Sequence, residues 1–404
     1  MEFVLINAII YVITLLLYWF KRRKIDILFL LLSLYTLVAV LGIPEVISEP
    51  NEWKIRLWPY IYLYIAFMLF FRPYYFDSDT LCVRLYVRNF KNLKFISTLI
   101  IVLSILTICC YLPVAVNNIV NGDWSAIRTD HYNDDIQIFS NRFEEFFANL
   151  STHFRLAGTI LFFYFLTIKD ISSIRKILLS ISVIVPPLLI SCTSAARDIL
   201  FELFFSLVIC YIIFHKDIPT NIKKALTVTA LFLFILMIIY SMAITMSRFG
   251  EGDQSSSSLV YYFSHSFLTF NYGLTDTING HLYGDLFFGR IYDFFTGRVG
   301  PPITIDNAIG THLTTAFFTF VGAWYIDFGP IGTFIIAIFL PMIISPFFKR
   351  KSQLKIADIY VYVFYLSYLI RGVFVHPRGI AFNWFVAVIV YFLLKVNFKV
   401  NKKI

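Results

Sequence analysis

Apolar and polar stretches alternate along this chain. Eleven apolar segments lie near residues 2–20, 25–43, 57–71, 94–116, 151–168, 176–193, 197–214, 224–245, 329–346, 356–374 and 380–396, each bounded by a polar connection. A helix needs about 20 apolar residues to cross the hydrocarbon core of a bilayer. Each segment is therefore expected to be a membrane helix, and the fold an all-α polytopic membrane protein formed by residues 1–404 as a single integral domain.

The polar connections differ in kind. Basic ones follow segments one, three, five, seven, nine and eleven: Lys21–Lys24, Arg72–Lys94, Lys169–Lys176, His215–Lys224, Lys349–Lys355 and Lys395–Lys403. The excess of Lys and Arg in cytoplasmic loops puts these six inside, the N-terminus outside and the C-terminus inside. Twenty-three of the 34 cations then fall inside. The residue types also sort. Sixteen of the inner cations are Lys, whereas ten of the eleven outer ones are Arg, and six of the seven His are outside. Orientation has no use for that split. Arg presents a planar fork of donors that fits phosphate, so the chemistry is expected on the outer face.

Two outer connections are long. Residues 117–150 carry six carboxylates beside Arg128 and Arg142, and Asn141–Leu150 has the amphipathic character of an interfacial segment. Residues 247–311 hold Arg248, Arg290, Arg298, His265 and His281 among many aromatics. Disordered chains are poor in aromatics, so this loop is expected to be ordered apart from its Glu251–Ser258 tip. The stretch that follows, 312–346, would reach about 50 Å as one helix, against a core of roughly 30 Å. Residues 312–325 are accordingly expected to be re-entrant or interfacial, with the span beginning near Gly329-Pro330, where Pro suits a first helical turn.

Composition narrows the class. Of 404 residues, 59% are apolar and 15% charged, against roughly 25% charged in globular domains. The net charge of +9 becomes an orientation and lipid-facing signal once it is sorted by side, so no nucleic acid is expected as partner. Cys109, Cys110 and Cys210 lie within apolar segments, Cys192 ends one and Cys82 is in a basic loop. They suggest neither a disulfide framework nor a zinc site. Met1-Glu2 precede an apolar run without a basic stretch, so no cleavable signal is expected. Asp77-Ser78-Asp79 resembles a metal-binding carboxylate pair but reads better as a solvated turn. P-loop, GxGxxG and HExxH patterns are absent.

Several outer residues are candidates for chemistry. Arg197 and Asp198 stand at the mouth of a span, with Glu202 one turn deeper than Asp198, a position where a buried, protonated carboxyl is plausible. Arg290 and Arg298 lie in GDLFFGRIYDFFTGRVGPP; Arg371, His376 and Arg378 crowd the turn LIRGVFVHPRG. His312 opens the 312–325 segment. Asp327, in YIDFGP, either caps the following helix or supplies a carboxylate. Each of these also has a plainer reading, as an interface anchor or a structural partner.

Two segments carry a family resemblance. TSAARDILFELFFSLVI resembles the small-residue and Arg segment that opens a span in O-antigen polymerases, and TAFFTFVGAWYIDFGPIG resembles their signature after the large outer loop. The layout of eleven or twelve spans with one late outer loop is similar as well. The Arg-to-Gly spacing of ten seen in some members is not matched, since nine residues separate Arg290 from Gly300. The resemblance implies a Wzy-type, metal-independent and cofactor-free glycosyltransferase with a fold similar to the C-type membrane glycosyltransferases. Such an enzyme would sit in the bacterial plasma (inner) membrane with its site on the outer, periplasmic face. Its substrates would be oligosaccharides on undecaprenyl pyrophosphate in the lipid bilayer, with a chain-length regulator as partner. Arg197, Arg290, Arg298, Arg371 and Arg378 would bind the pyrophosphate. His312 is the first choice of base and His376 the second, with Asp327 as the carboxylate alternative. An O-antigen ligase and a lipid-linked oligosaccharide flippase are the competing readings. A flippase would need charge along many spans, whereas here the mid-span charge is essentially Glu202 and the polar mass is in the outer loops.

Overall fold

The computed structural model describes residues 1–48, 54–75, 90–132, 138–139, 141–249, 263–275, 278, 280–298, 307, 318–349, 353–374 and 380–396. His312, His376, Arg378, the Asp77-Ser78-Asp79 turn and the Glu251–Ser258 tip lie outside these residues. The described chain is helical, with no strand. Its helices are α1 (Glu2–Arg22), α2 (Ile27–Ser48), α3 (Leu57–Phe71), α4 (Phe90–Asn121), α5 (Trp124–Tyr132), α6 (Arg142–Leu166), α7 (Ser173–Ser194), α8 (Asp198–Phe214), α9 (Thr220–Phe249), α10 (Asp285–Thr296), α11 (Phe320–Ile344), α12 (Ile356–Arg371) and α13 (Ile380–Lys395). Helix covers most of every predicted apolar segment. Six helices, α1, α2, α4, α7, α9 and α11, are long and apolar enough to cross a membrane among the described residues. The chain is thus an all-α membrane protein.

Helix ends follow local chemistry. Asp26 accepts from Phe29 N at 2.9 Å at the start of α2, while Arg23 closes α1 in the left-handed region. Asn141 caps α6 by accepting from Phe143 N and Glu144 N, which satisfies two orphan donors of the first turn, and its side-chain Nδ2 donates to the Glu144 carboxylate. The expected interfacial stretch 141–150 is therefore continuous with the apolar segment after it. It has Phe143 and Phe146 exposed.

The chain divides into two compact units. One comprises Met1–Ser78, Ser256–Arg350 and Tyr368–Val386; the other comprises Asp79–Ser255, Lys351–Ser367 and Ala387–Ile404. In the second unit α4 packs against α6 and α7. Gly158 makes room for this, because a Cβ there would meet Ile100 and Val183 at 3.2 and 3.3 Å, and small residues let apolar helices approach closely. In the first unit α11 packs on α3, with Phe67, Phe70 and Phe320 forming an aromatic core.

The sequence predicts that the late span starts at Gly329-Pro330. Helix instead begins at Phe320, capped by Thr319, and continues to Ile344 across a break at Gly329 (φ 69°, ψ −176°). That backbone region is open essentially to Gly alone. Residues 320–327 are buried. The backbone breaks at the predicted junction, and residues 320–327 before it form a helix buried in its own unit.

Candidate functional site

The first unit gathers its polar chemistry at the break in α11. Helix α10 has Gly284 at its N-cap, and Gly has no side chain to offer its orphan N–H groups. Asp327 supplies the cap from 43 residues away. Its carboxylate accepts from Gly284 N at 2.8 Å and from Leu286 N and Phe287 N at 3.2 Å each. Asp327 is fully buried. It caps α10 and not the helix that follows it in sequence. Leu282 N and Tyr283 N donate to the Ile326 and Asp327 carbonyls at 3.2 and 2.8 Å, which locks the 281–284 turn along the end of the first half of α11. Phe287 then stacks on Trp324 with ring centroids 3.5 Å apart.

Arg298 lies just past the left-handed Gly297. Its guanidinium reaches Asp285 through Nη1, at 3.0 Å, and Nη2, while Nε meets Asp293 at 2.9 Å. These carboxylates hold its pKa above the usual arginine value. Gly289 lies under the bridge, where a Cβ would come within 4.0 Å of the guanidinium. Arg298 thus spans α10 along its length with its fork already occupied. Arg290 stands within α10. Outward from the helix, Phe288, Tyr292 and Phe295 are 39%, 41% and 78% exposed, an aromatic stripe at helical spacing.

The same buried half-helix receives the turn after α12. Trp324 Nε1 donates to Tyr368 at 2.8 Å, and Tyr35 donates to the Leu369 carbonyl at 2.7 Å. Gly372 lies so close to Phe320 that any Cβ would collide with the ring. Arg371, exposed at the end of α12, is thereby anchored to the part of α11 that carries Asp327. The structure brings Asp327, Arg290, Arg298 and Arg371 into one unit.

Arg197 belongs to the second unit, at the N-cap of α8. The motif before it is a helix end with its carbonyls accounted for. Tyr240 donates to Ser191 O, Asn118 to Cys192 O and Thr193 O, and Arg128 to Ser194 O, at 2.8–3.3 Å. Ala195 takes the left-handed conformation (φ 48°), and Ser191 Oγ donates to Ala196 O. Small residues fit this wrapped turn, which sets the direction of α8. Deeper in the unit, Arg155 of α6 pairs with Glu202 at 2.5 Å, with the two side chains 8% and 22% exposed. Glu202, expected as a protonated carboxyl, has a cationic partner. The sequence held a clue to the pair: Arg155 and Glu202 lie at similar depth from the outer ends of the predicted segments 151–168 and 197–214.

Among the described residues no group of His, Cys, Asp and Glu is arranged to hold a metal. Comparison with protein-family models, with curated proteins and with solved structures finds no match for this chain.

Proposed function

We propose that this protein is a polymerase of lipid-linked oligosaccharide repeat units, transferring a growing glycan from undecaprenyl pyrophosphate to a new lipid-linked unit on the outer, periplasmic face of the plasma membrane. The observation that carries the reading is the fastening of α10, from the large polar loop, to the break in α11 by Asp327. This joins the Arg-bearing loop to the segment that resembles the polymerase signature. The eleven apolar segments act as spans, and the basic connections face the cytoplasm.

In this reading the leaving pyrophosphate gathers negative charge as the anomeric bond breaks. Fixed cations aimed at such charge are usually the largest catalytic contribution. Arg290, Arg371 and Arg378, all of the first unit, supply them. Arg298 and Asp327 act as positioning residues, because their polar atoms hold α10 in place. The attacking sugar hydroxyl loses its proton to a histidine, His312 or His376, whose ordinary pKa near 6.5 suits a base at neutral pH. Asp327, buried and occupied by three N–H groups, is the weaker choice for that step.

The deciding experiment deletes the gene and examines surface polysaccharide by gel. Single-unit chains support the polymerase. Loss of all glycan from the lipid A core would make the protein a ligase instead, and cytoplasm-facing lipid-linked units would make it a flippase.

A further inference from the structure

Sixteen of the 23 cations in the basic connections are Lys, yet the first turn of α7 places an Arg at the seam between α4 and α7. Arg175 Nη1 donates to the Lys94 carbonyl at 2.7 Å, to Ser97 Oγ at 2.9 Å and to Thr98 Oγ1 at 3.2 Å. Both hydroxyls donate to that same carbonyl, at 2.8 and 2.9 Å, so their lone pairs are left to accept. Ser97 is fully buried. One nitrogen of the fork is thus pinned into the seam by neutral oxygens. Arg carries five N–H donors. The two on Nη1 are used, and the three of the Nε–Nη2 edge have no acceptor among the described residues.

The surroundings suit an anion with an apolar body. Lys91 and Lys94 are exposed and precede Thr98 by two turns and one turn on the same face of α4. Among the described residues, none of Arg175, Lys94 and Lys91 pairs with a carboxylate. Deeper along the two helices the exposed positions become apolar. Val102 and Ile105 of α4 are 50% and 48% exposed, and Leu178 and Ile181 of α7 are 39% and 41% exposed. Both helices are long and apolar enough to cross a membrane, so acyl chains are what covers these positions. A phosphate held by Arg175 would stand where such chains end.

We propose that Arg175, with Lys94 and Lys91, seats the headgroup of an anionic phospholipid at this end of the α4–α7 seam. The Nε–Nη2 edge grips two phosphodiester oxygens side-on, a planar pairing that Lys does not supply. The two lysines add attraction for the net negative charge, and the acyl chains run along the apolar positions of α4 and α7. Because Nη1 is already pinned, binding need not order a long, mobile side chain. The seat rests on this cluster and is independent of the function proposed above.

The test uses the full-length protein in nanodiscs of one part phosphatidylglycerol to four parts phosphatidylcholine with the same acyl chains. The photo-crosslinking residue p-benzoylphenylalanine takes the place of Leu178, one turn along α7 from Arg175, and mass spectrometry identifies the lipid it captures. Phosphatidylglycerol should be captured about fivefold above its share of the bilayer, the weight of one basic residue at an anionic headgroup. Arg175→Gln should return capture to the bulk ratio, and Arg175→Lys, which keeps the charge without the fork, should fall between. Lys224→Gln, an equal loss of charge at an exposed position before the apolar part of α9, should leave the enrichment intact. Equal falls in Arg175→Gln and Lys224→Gln would mean a diffuse basic surface and overturn the seat, and full enrichment in Arg175→Lys would overturn the fork. Capture at the bulk ratio with Arg175 in place overturns the proposal whether or not the variants fold. Excess glycerophosphate should leave the enrichment unchanged; if it abolishes it, the site takes a soluble phosphate and not a lipid.

Discussion

Replacing Asp327 by Ala should undock α10 without unfolding α11. The carboxylate makes three bonds to main-chain N–H groups, of which the one to Gly284 at 2.8 Å is short and buried and the two at 3.2 Å are longer. A hydrogen bond to a charged group contributes about 1.5–3 kcal/mol net, and a buried donor left unpaired costs about 1–3 kcal/mol. Leu286 N is only partly buried, so water can replace one partner after the change. Counting the Gly284 bond fully and the others weakly gives about 3 kcal/mol, somewhat above the ~0.5–2 kcal/mol typical of an Ala replacement at a side-chain cap. That corresponds to roughly a hundredfold rise in opening of the α10 N-terminus. Amide hydrogen exchange in nanodiscs reads it directly: Gly284, Leu286 and Phe287 should exchange about a hundredfold faster, while amides of 334–344 in α11 stay protected. Asp327→Asn keeps one acceptor oxygen but turns its NH2 toward a donor, so it should fall between. Unchanged protection at Gly284 and Phe287 in Asp327→Ala would refute the cap as the fastening of this loop.

Two further outcomes follow from the buried charges. Glu202→Gln strands Arg155 in an apolar unit and should destabilise the protein by about 3 kcal/mol, the low end for a broken buried pair because Glu202 is 22% exposed; Arg155→Met with Glu202→Leu should recover most of it in thermal unfolding, and a harmless single change would show that the pair is loosely held. Burial pushes the His265 imidazole down to about 4, so below pH 6.5 the unfolded chain binds a proton that the fold refuses. Stability should therefore drop by about 3 kcal/mol as pH falls from 6.5 to 4, and His265→Gln, measured beside the wild type, should lack that part of the decline.

What could be read locally was read well. The apolar segments coincide with helices because the bilayer acts on each stretch of about 20 residues separately. The Gly329-Pro330 pair was legible as a junction because both residues constrain their own backbone. The helix before it was not legible: Thr319 caps it at Phe320, and the burial of 320–327 depends on aromatic residues of α3 and α12 that lie far away in sequence. Arg175 appeared only as one cation of a basic connection. Nothing in its spacing distinguishes it from Lys176.

The sequence by itself determined an all-helical chain of apolar segments, the basic and Arg-rich sorting of its loops, and the residue types available for chemistry. Those properties depend on each residue's own preference for hydrocarbon, water or a backbone conformation. Only the tertiary structure decided the partners: Asp327 with the N-terminus of α10, Arg155 with Glu202, Arg298 with Asp285, and Arg175 with Ser97. A buried polar atom takes whichever partner packing brings within about 3 Å. That depends on contacts across 13 to 78 positions of chain in these four pairs, which no local pattern encodes.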